Sequence, residues 1–409
     1  MKFHHRAVPI VLLVLLIDAI GFGIVLPVLP SLIVHLADVT MAQATRISGY
    51  MLVAYAGMQF LAGPIIGNIG DRVGRRPVLL LCAIAFTIDY ALMAAAPTTG
   101  WLFLGRLVAG IAGATYGPAN AVLADVTPPQ DRARVFGLMG AAFGGGFILG
   151  PALGGLLAEF GTRAPFIAAA TLAGLNVIWI LFGLPETLKP EDRRRFDWRR
   201  ANAFGTFAPL LHESKAIPLI LVSLLWQIAH QVYPSTWAFW AVLKFNWTSA
   251  QIGWSLAAAG VSMALAQVFL TGRAVALFGE ERSIMTGMLA GGISFALYAF
   301  VPQGWMVYPI IFFSALQGLV YPSTNALLSR MTDASNQGAL QGGMASVMSV
   351  AAIVGPLTMT QTLAAGAEHG FAGSAFLAAA SMVAVALMVV WFGVLRRPAD
   401  DNAAAPAKP

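Results

Sequence analysis

The chain reads as an all-α membrane protein with twelve membrane-spanning helices in two pseudo-symmetric six-helix bundles, and three observations carry that expectation. It is 58% hydrophobic and only 10% charged over 409 residues, a balance that a water-soluble globule cannot accommodate. Apolar runs of about 20 residues, enough at 1.5 Å per residue to cross about 30 Å of hydrocarbon, recur twelve times. The chain also matches itself when displaced by 205 residues.

The first run, residues 8–31, follows Lys2 and Arg6 like a secretory leader. Its apolar stretch is too long and lacks a small-residue cleavage site, so it is expected to be retained. The runs at 47–69 and 78–96 flank a short basic turn, and 101–123, 135–158 and 164–184 complete six spans. Pro185 to Lys215 is the one long polar break, with Lys189, Arg193, Arg194, Arg195, Arg199 and Arg200 among prolines and acids. Six further runs follow at 216–241, 250–272, 284–301, 305–328, 339–363 and 371–395. The expected division is therefore a bundle at 1–184, a linker at 185–215, a second bundle at 216–397 and a tail at 398–409. The tail, rich in Ala, Pro and Asp, has too little apolar surface to order.

An even number of crossings puts both termini on one side. Of 24 Lys and Arg residues, Arg46, Arg163 and Lys244 fall opposite and Arg106 falls within a span; the rest lie on the terminal side, which the positive-inside tendency makes cytoplasmic. The net charge of +6 thus reflects loops facing anionic lipid and not nucleic acid. A lone cysteine, Cys82, excludes an internal disulfide and a thiolate metal cluster, and no metal site is expected.

The displacement by 205 pairs Gly67 with Gly272, Gly74 with Gly279, Tyr116 with Tyr321, Asn120 with Asn325, Gly137 with Gly342, and Gly150-Pro151 with Gly355-Pro356. Six spans return the chain to its starting face, so the halves share an orientation and are related by an axis along the membrane normal. This is the repeat type of the major facilitator fold, whose halves bracket a central cavity.

Between the second and third spans, Gly67, Asp71, Arg72, Gly74, Arg75 and Arg76 form the pattern GxxxDRxGRR. The glycines allow a tight reversal, Asp71 suits a helix N-terminus, and the arginines can bridge carboxylates, with Asp125 and Arg134 as the nearby charged groups. The pattern resembles the major facilitator signature, which implies an ion-pair latch stabilising the outward-facing state. In the fifth span, Gly137, Gly146, Gly150, Pro151, Gly154 and Gly155 give Gx8Gx3GPxxGG. Glycines at such steps make a smooth face for close helix packing and the proline bends the helix; the spacing resembles that of drug/proton antiporters.

Three charges lie deep inside spans, Asp18, Asp89 and Arg106, where each costs at least about 2.5 to 3.5 kcal/mol. One arginine can neutralise only one carboxylate, so the other is left desolvated and able to take up and release a proton. Asp18 is the better cavity residue and Asp89 with Arg106 the more structural pair. The second half carries no acid inside any span, and His230 is its one competing titratable group. His230 stands with Gln227, Gln231 and Trp237 on the seventh span. Polar residues in other spans, Gln59, Tyr116, Asn120, Gln267, Gln317 and Asn325, either join helices or line a cavity. The aromatic and methionine content of the spans points to an amphipathic, ring-containing small molecule as cargo.

The chain resembles the bacterial tetracycline/proton antiporters over nearly its whole length. The resemblance rests on Asp18-Ala19 with Gly21, Gly23 and LPVLP at 26–30, AYAGMQF at 54–60, DRVGRRPVLLL at 71–81, Asp89-Tyr90, GRLVAGIAGAT at 105–115 and GALQG at 338–342. It implies efflux driven by the proton gradient with no cofactor, a monomer in the bacterial inner membrane, and functional roles for the positions of Asp18, Gln59, Asp71, Asp89 and Arg106. Two positions depart from the family pattern: Gly291 stands where the family has a ninth-span aspartate, and Met263 where it has an eighth-span histidine. The alternatives are a proton-coupled metabolite transporter of the same fold and a non-transporting membrane receptor. An enzyme is not expected, since no nucleophile and base pair, phosphate loop or metal-ligand spacing occurs.

Overall fold

The computed structural model describes residues 5–198, 217–331 and 337–392. The linker expected at 185–215 lies outside the described residues from 199 onward, as does the tail from Pro398. Every described element is a helix, as a chain surrounded by hydrocarbon requires, because only intrachain bonds can satisfy its amides there.

The N-terminal half consists of Ala7–Val25, Met41–Val73, Arg75–Ala95, Thr99–Val126, Arg132–Leu157 and Ala164–Gly183. The second half begins with Ile217–Phe245, followed by a 52-residue helical stretch, Ser249–Phe300. That stretch is long enough for two crossings, and the chain turns within it at Gly279, whose φ is 76°. Gly304–Arg330, Gln337–Glu368 and Ser374–Val390 complete twelve spans.

Irregularities in the helices repeat along with the sequence. The first span breaks at Leu26–Val28 and the seventh at Gln231, positions 205 apart. Short 3₁₀ segments interrupt the fourth span at Gly113–Thr115 and the tenth at Ala315–Leu319. Gly74 and Gly279, again 205 apart, both take positive φ, 119° and 76°. Capping boxes open the second and eighth spans, Thr40 with Gln43 and Thr248 with Gln251. The π-helical stretch through which the eighth span passes at Ala266–Thr271 has no counterpart, since the equivalent part of the second span is regular α-helix.

Within the first half, the first span packs on the fifth and sixth, the second on the fourth, and the third on the fourth and sixth. In the second half, the seventh packs on the eleventh and twelfth, and the ninth on the tenth and twelfth. The halves meet where the second span lies on the eleventh and the fifth on the eighth.

These contacts are concentrated at the end of the molecule remote from the termini. A Cβ on Gly155 would stand 2.7 Å from the Ser249 carbonyl oxygen across the fifth and eighth spans. Arg46 reaches Glu368 at 2.6 Å across the second and eleventh, and Gln361 Nε2 donates to the Arg46 carbonyl at 3.4 Å. Near the terminal end, a Cβ on Gly67, Gly137, Gly140, Gly144, Gly272 or Gly342 would meet nothing within 4 Å. Among the described residues, the molecule is therefore closed at the remote end and open at the terminal end.

Candidate functional site

Asp18 and Asp89 have different partners. Asp89, wholly buried on the third span, pairs with Arg106 on the fourth, itself 6% exposed. The arginine also donates to Met93 Sδ at 2.9 Å. The carboxylate lies over the bare backbone of Gly105, where a Cβ would collide with it. Asp18, partly exposed on the first span, has no cation within ion-pair distance among the described residues. Its Oδ1 accepts from Asn176 Nδ2 at 2.9 Å, and that amide also donates to the Val14 carbonyl at 3.2 Å.

Asn176 was not singled out from the sequence; the signal was available, since it is an amide in the middle of the otherwise apolar sixth span. Tyr55 on the second span, also missed, lies within electrostatic reach of Asp18, Asp89 and Arg106 together. Its ring is 6.4 Å from that of Phe22. Around it the second and fourth spans approach closely: a Cβ on Gly110 would stand 2.5 Å from the Tyr55 carbonyl oxygen. Gln59 Nε2 donates to the Gly113 carbonyl at 2.8 Å, which satisfies the carbonyl at the 3₁₀ interruption. Tyr116 is exposed and stands edge-on to Phe143 at 5.4 Å, from which Phe147 and Phe22 continue an aromatic row. Asn120 lies half-buried one turn beyond Tyr116, and Asn325 occupies the corresponding place beyond Tyr321.

In the second half, Gln227, His230 and Gln231 are half-buried, and Gln267 is exposed on the π-helical stretch. The His230 ring lies 4.8 Å from Trp226 and 5.4 Å from Tyr233. Gln317 is buried and donates to Tyr233 Oη at 2.9 Å. Trp237 departs from its expected place in a cavity wall. It is 3% exposed and its indole N–H donates to Ser255 Oγ at 2.9 Å, because that face of the broken seventh span packs into the aromatic core.

The 67–76 turn also differs from its sequence reading in one respect. Asp71 is in the last turn of the second span, not at a helix N-terminus, and pairs with Arg75 at 2.6 Å. Arg75 Nε lies 3.5 Å from Asp125 Oδ2. The residue at the N-terminus of the third span is Glu186, whose carboxylate accepts the backbone N–H groups of Arg75 and Arg76 at 2.9 and 3.1 Å. A carboxylate is favoured there by the free amides of the helix start, and Gly74 leaves the space it needs. The signal for Glu186 was an acid directly after the sixth span. Arg72 and Arg134 are exposed and make no ion pair among the described residues. Arg76 donates to the Leu181 carbonyl at 2.5 Å.

The fifth-span glycines divide between partners. A Cβ on Gly150 would stand 2.6 Å from the Ile20 carbonyl oxygen, and Gly146 and Gly154 touch the same first span. Gly155 instead meets the eighth span of the other half, as does Pro151, whose carbonyl lies against Gly253. Gly137 meets nothing, being on the open end. No group of three or more potential metal-binding side chains occurs among the described residues.

The family model of the Major Facilitator Superfamily matches residues 11–243 and 219–409. The chain is 41% identical to the tetracycline resistance protein, class C, of Escherichia coli, with 98% of each chain covered. It is 38% identical to the class G protein of Vibrio anguillarum, covering 95% of this chain and 97% of that one. It is 27% identical to multidrug resistance protein 2 of Bacillus subtilis over 82% and 84%. Among solved structures, the nucleoside transporter NupG superposes with a TM-score of 0.78 at 16% identity, covering 96% of this chain and all of that one. The human organic anion transporter MFSD10 (TETRAN) gives 0.70 at 24%, covering 95% and 100%.

Proposed function

Because this chain belongs to the Major Facilitator Superfamily, and within it to the family of the tetracycline resistance proteins, we propose that it exports amphipathic, ring-bearing drugs, tetracycline among them, in exchange for protons, with Asp18 carrying the proton. It is a transporter and not an enzyme. The gradient itself supplies the drive and no cofactor takes part.

The observation that carries the assignment is the division of partners between the two buried acids. Arg106 neutralises Asp89, so that pair can remain charged through the cycle and hold the third and fourth spans together. Asp18 has an amide for a partner, which can hydrogen-bond to either protonation state of a carboxyl group but does not neutralise the charged one. A carboxyl group held in hydrocarbon with no cation is the one that gains most from taking a proton.

The cycle follows from the closed and open ends. With the termini cytoplasmic, this is the state open to the cytoplasm, in which cargo reaches the aromatic row at Tyr116 and Phe143. Rocking of the halves would separate the glycine contacts at the remote end and bring the open glycine faces of the terminal end together. Asp71, Arg75, Asp125 and Glu186 brace the turn on the N-terminal half while it moves. A proton arriving at Asp18 from the periplasm then favours return. The chain acts as a monomer, since the cavity lies between its own halves.

Everted membrane vesicles test this: energised vesicles should take up tetracycline, release it when a protonophore is added, and acidify less steeply during uptake. Energised vesicles that accumulate neither tetracycline nor any member of a panel of amphipathic dyes would overturn the proposal. Release of preloaded compound on energisation would favour an importer.

A further inference from the structure

Five buried polar atoms in the second half have no hydrogen-bond partner among the described residues, and two of them, His230 Nδ1 and Gln317 Oε1, flank Tyr233. Gln317 uses its amide nitrogen on Tyr233 Oη at 2.9 Å. Turning that amide round would satisfy its oxygen and leave its nitrogen alone instead, so one half of the amide is unpaired in either orientation. Buried groups of this kind are uncommon and costly to keep.

The walls around them are rings. Trp226, Tyr233 and Phe295 stand 4.8, 5.4 and 6.1 Å from the His230 ring, centroid to centroid. On the ninth span the position that faces them is Gly291. A Cβ there would stand 2.7 Å from Trp226 Cη2 and 3.3 Å from Gln317 Cγ, so the indole edge occupies the space that a side chain would otherwise take. The seventh span breaks at Gln231, directly between His230 and Tyr233, and the tenth is 3₁₀ at Gln317. The cluster thus sits on two irregular segments of its half, where helices can shift without breaking regular bonding. No acid lies within a span of this half, so nothing here offsets a positive charge.

Resting on the reading of the chain as an exporter of ring-bearing compounds, we propose that His230 and Gln317, walled by Trp226, Tyr233 and Phe295, form a subsite that takes an uncharged hydroxyl group carried on an aromatic ring. A hydroxyl has one donor hydrogen and two acceptor positions, so it can complete both groups with His230 in its Nδ1–H tautomer, accepting from that nitrogen while donating to Gln317 Oε1. The rings supply the stacking surface. Trp226 covers the subsite in the present state and must swing aside to admit a ring.

Full-length protein in detergent, titrated with 1-hydroxypyrene and with 1-methoxypyrene, reads the subsite directly by fluorescence anisotropy. The wild type should bind the hydroxyl compound about tenfold more tightly than its methyl ether. Gln317→Met and His230→Phe, which keep volume but lose the polar atoms, should each remove the difference by weakening the hydroxyl compound alone. Gly291→Ala, which crowds Trp226, should weaken both compounds. Equal affinity of the two pyrenes for the wild type, no binding of either, or an unchanged preference in both polar variants would overturn the proposal. Because binding is read without a gradient, loss of drug uptake in vesicles leaves this result independent, and monodisperse elution of each variant separates a lost contact from a lost fold.

Discussion

Glu280 and Arg330 meet at 2.8 Å at positions 205 residues beyond Arg75 and Asp125, so the second half carries the same tie between turn and span with its charges exchanged. In the first half the base is on the turn and the acid closes the fourth span; in the second half the acid is on the turn and the base closes the tenth. The two ties differ in surroundings. Arg75 has a side chain only 13% exposed and two acids within reach, whereas Arg330 is 71% exposed.

Magnitudes then separate the two. An exposed ion pair contributes about 0 to 1 kcal/mol, so Arg330→Gln should lower the unfolding midpoint in detergent by no more than a degree or two. Arg75→Gln leaves Asp71 and Asp125 facing each other without a cation, and should both lower the midpoint more and reduce the maximal rate of drug uptake. The exchange Glu280→Arg with Arg330→Glu should transport better than either single reversal. Equal loss in Arg75→Gln and Arg330→Gln would contradict this ranking.

Asp89 and Arg106 form the most deeply buried ion pair described, and removing one member leaves an uncompensated charge in hydrocarbon. Breaking such a pair costs about 3 to 5 kcal/mol, more than replacing both members. Arg106→Gln and Asp89→Asn should therefore each reduce the amount of folded protein in the membrane. The double variant Asp89→Asn with Arg106→Gln should accumulate better than either, which quantitative immunoblotting of membranes with size-exclusion of extracted protein will show. If the double variant is the poorest of the three, the pair is not acting as a mutual neutralisation.

Asp18→Asn keeps the hydrogen-bonding shape beside Asn176 but cannot release a proton. It should abolish uptake of tetracycline driven by a pH gradient while leaving exchange of internal for external drug in proteoliposomes near the wild-type rate, since exchange needs no net proton movement. Retained gradient-driven uptake would remove Asp18 from the proton path. Loss of exchange as well would place it in cargo binding.

Much of this was legible in the sequence because the membrane narrows the choices. Hydropathy gives the spans, and the displacement by 205 gives the two halves together with their shared defects at Gly74 and Gly279. The three intramembrane charges are conspicuous for their cost. What escaped were partners brought together by tertiary packing: Asn176 beside Asp18, Glu186 on the start of the third span, and Tyr55 amid the charges. Each is an ordinary residue in its own segment, and its role arises from contacts distant in the chain, 158 residues for Asn176 and 111 for Glu186. Trp237 shows the converse, since aromatics on a broken helix serve core and cavity alike and only burial distinguishes them. The π-helical stretch at Ala266–Thr271 has no signal in a run of AQVFLT.

Closure at the remote end rests on contacts of two kinds, and they predict different behaviour. Arg46 and Glu368 have side chains about 39% and 43% exposed, so their attraction is weak and screened by salt. Arg46→Ala should shift the balance between the two states only slightly and leave uptake within about twofold of the wild type. The bare backbone approaches at Gly155 and Gly253 have no such slack: a valine at Gly155 must push the Ser249 backbone away, opening that end permanently and stopping transport. A covalent link should have the opposite structural effect and the same functional one. With buried Cys82 replaced by alanine, Arg46→Cys with Glu368→Cys joined by a short bifunctional thiol reagent should hold the remote end shut. Uptake should then fall to background in the linked protein and persist in each single-cysteine variant given the same reagent. Uptake that survives the link would mean that the second and eleventh spans do not part during the cycle.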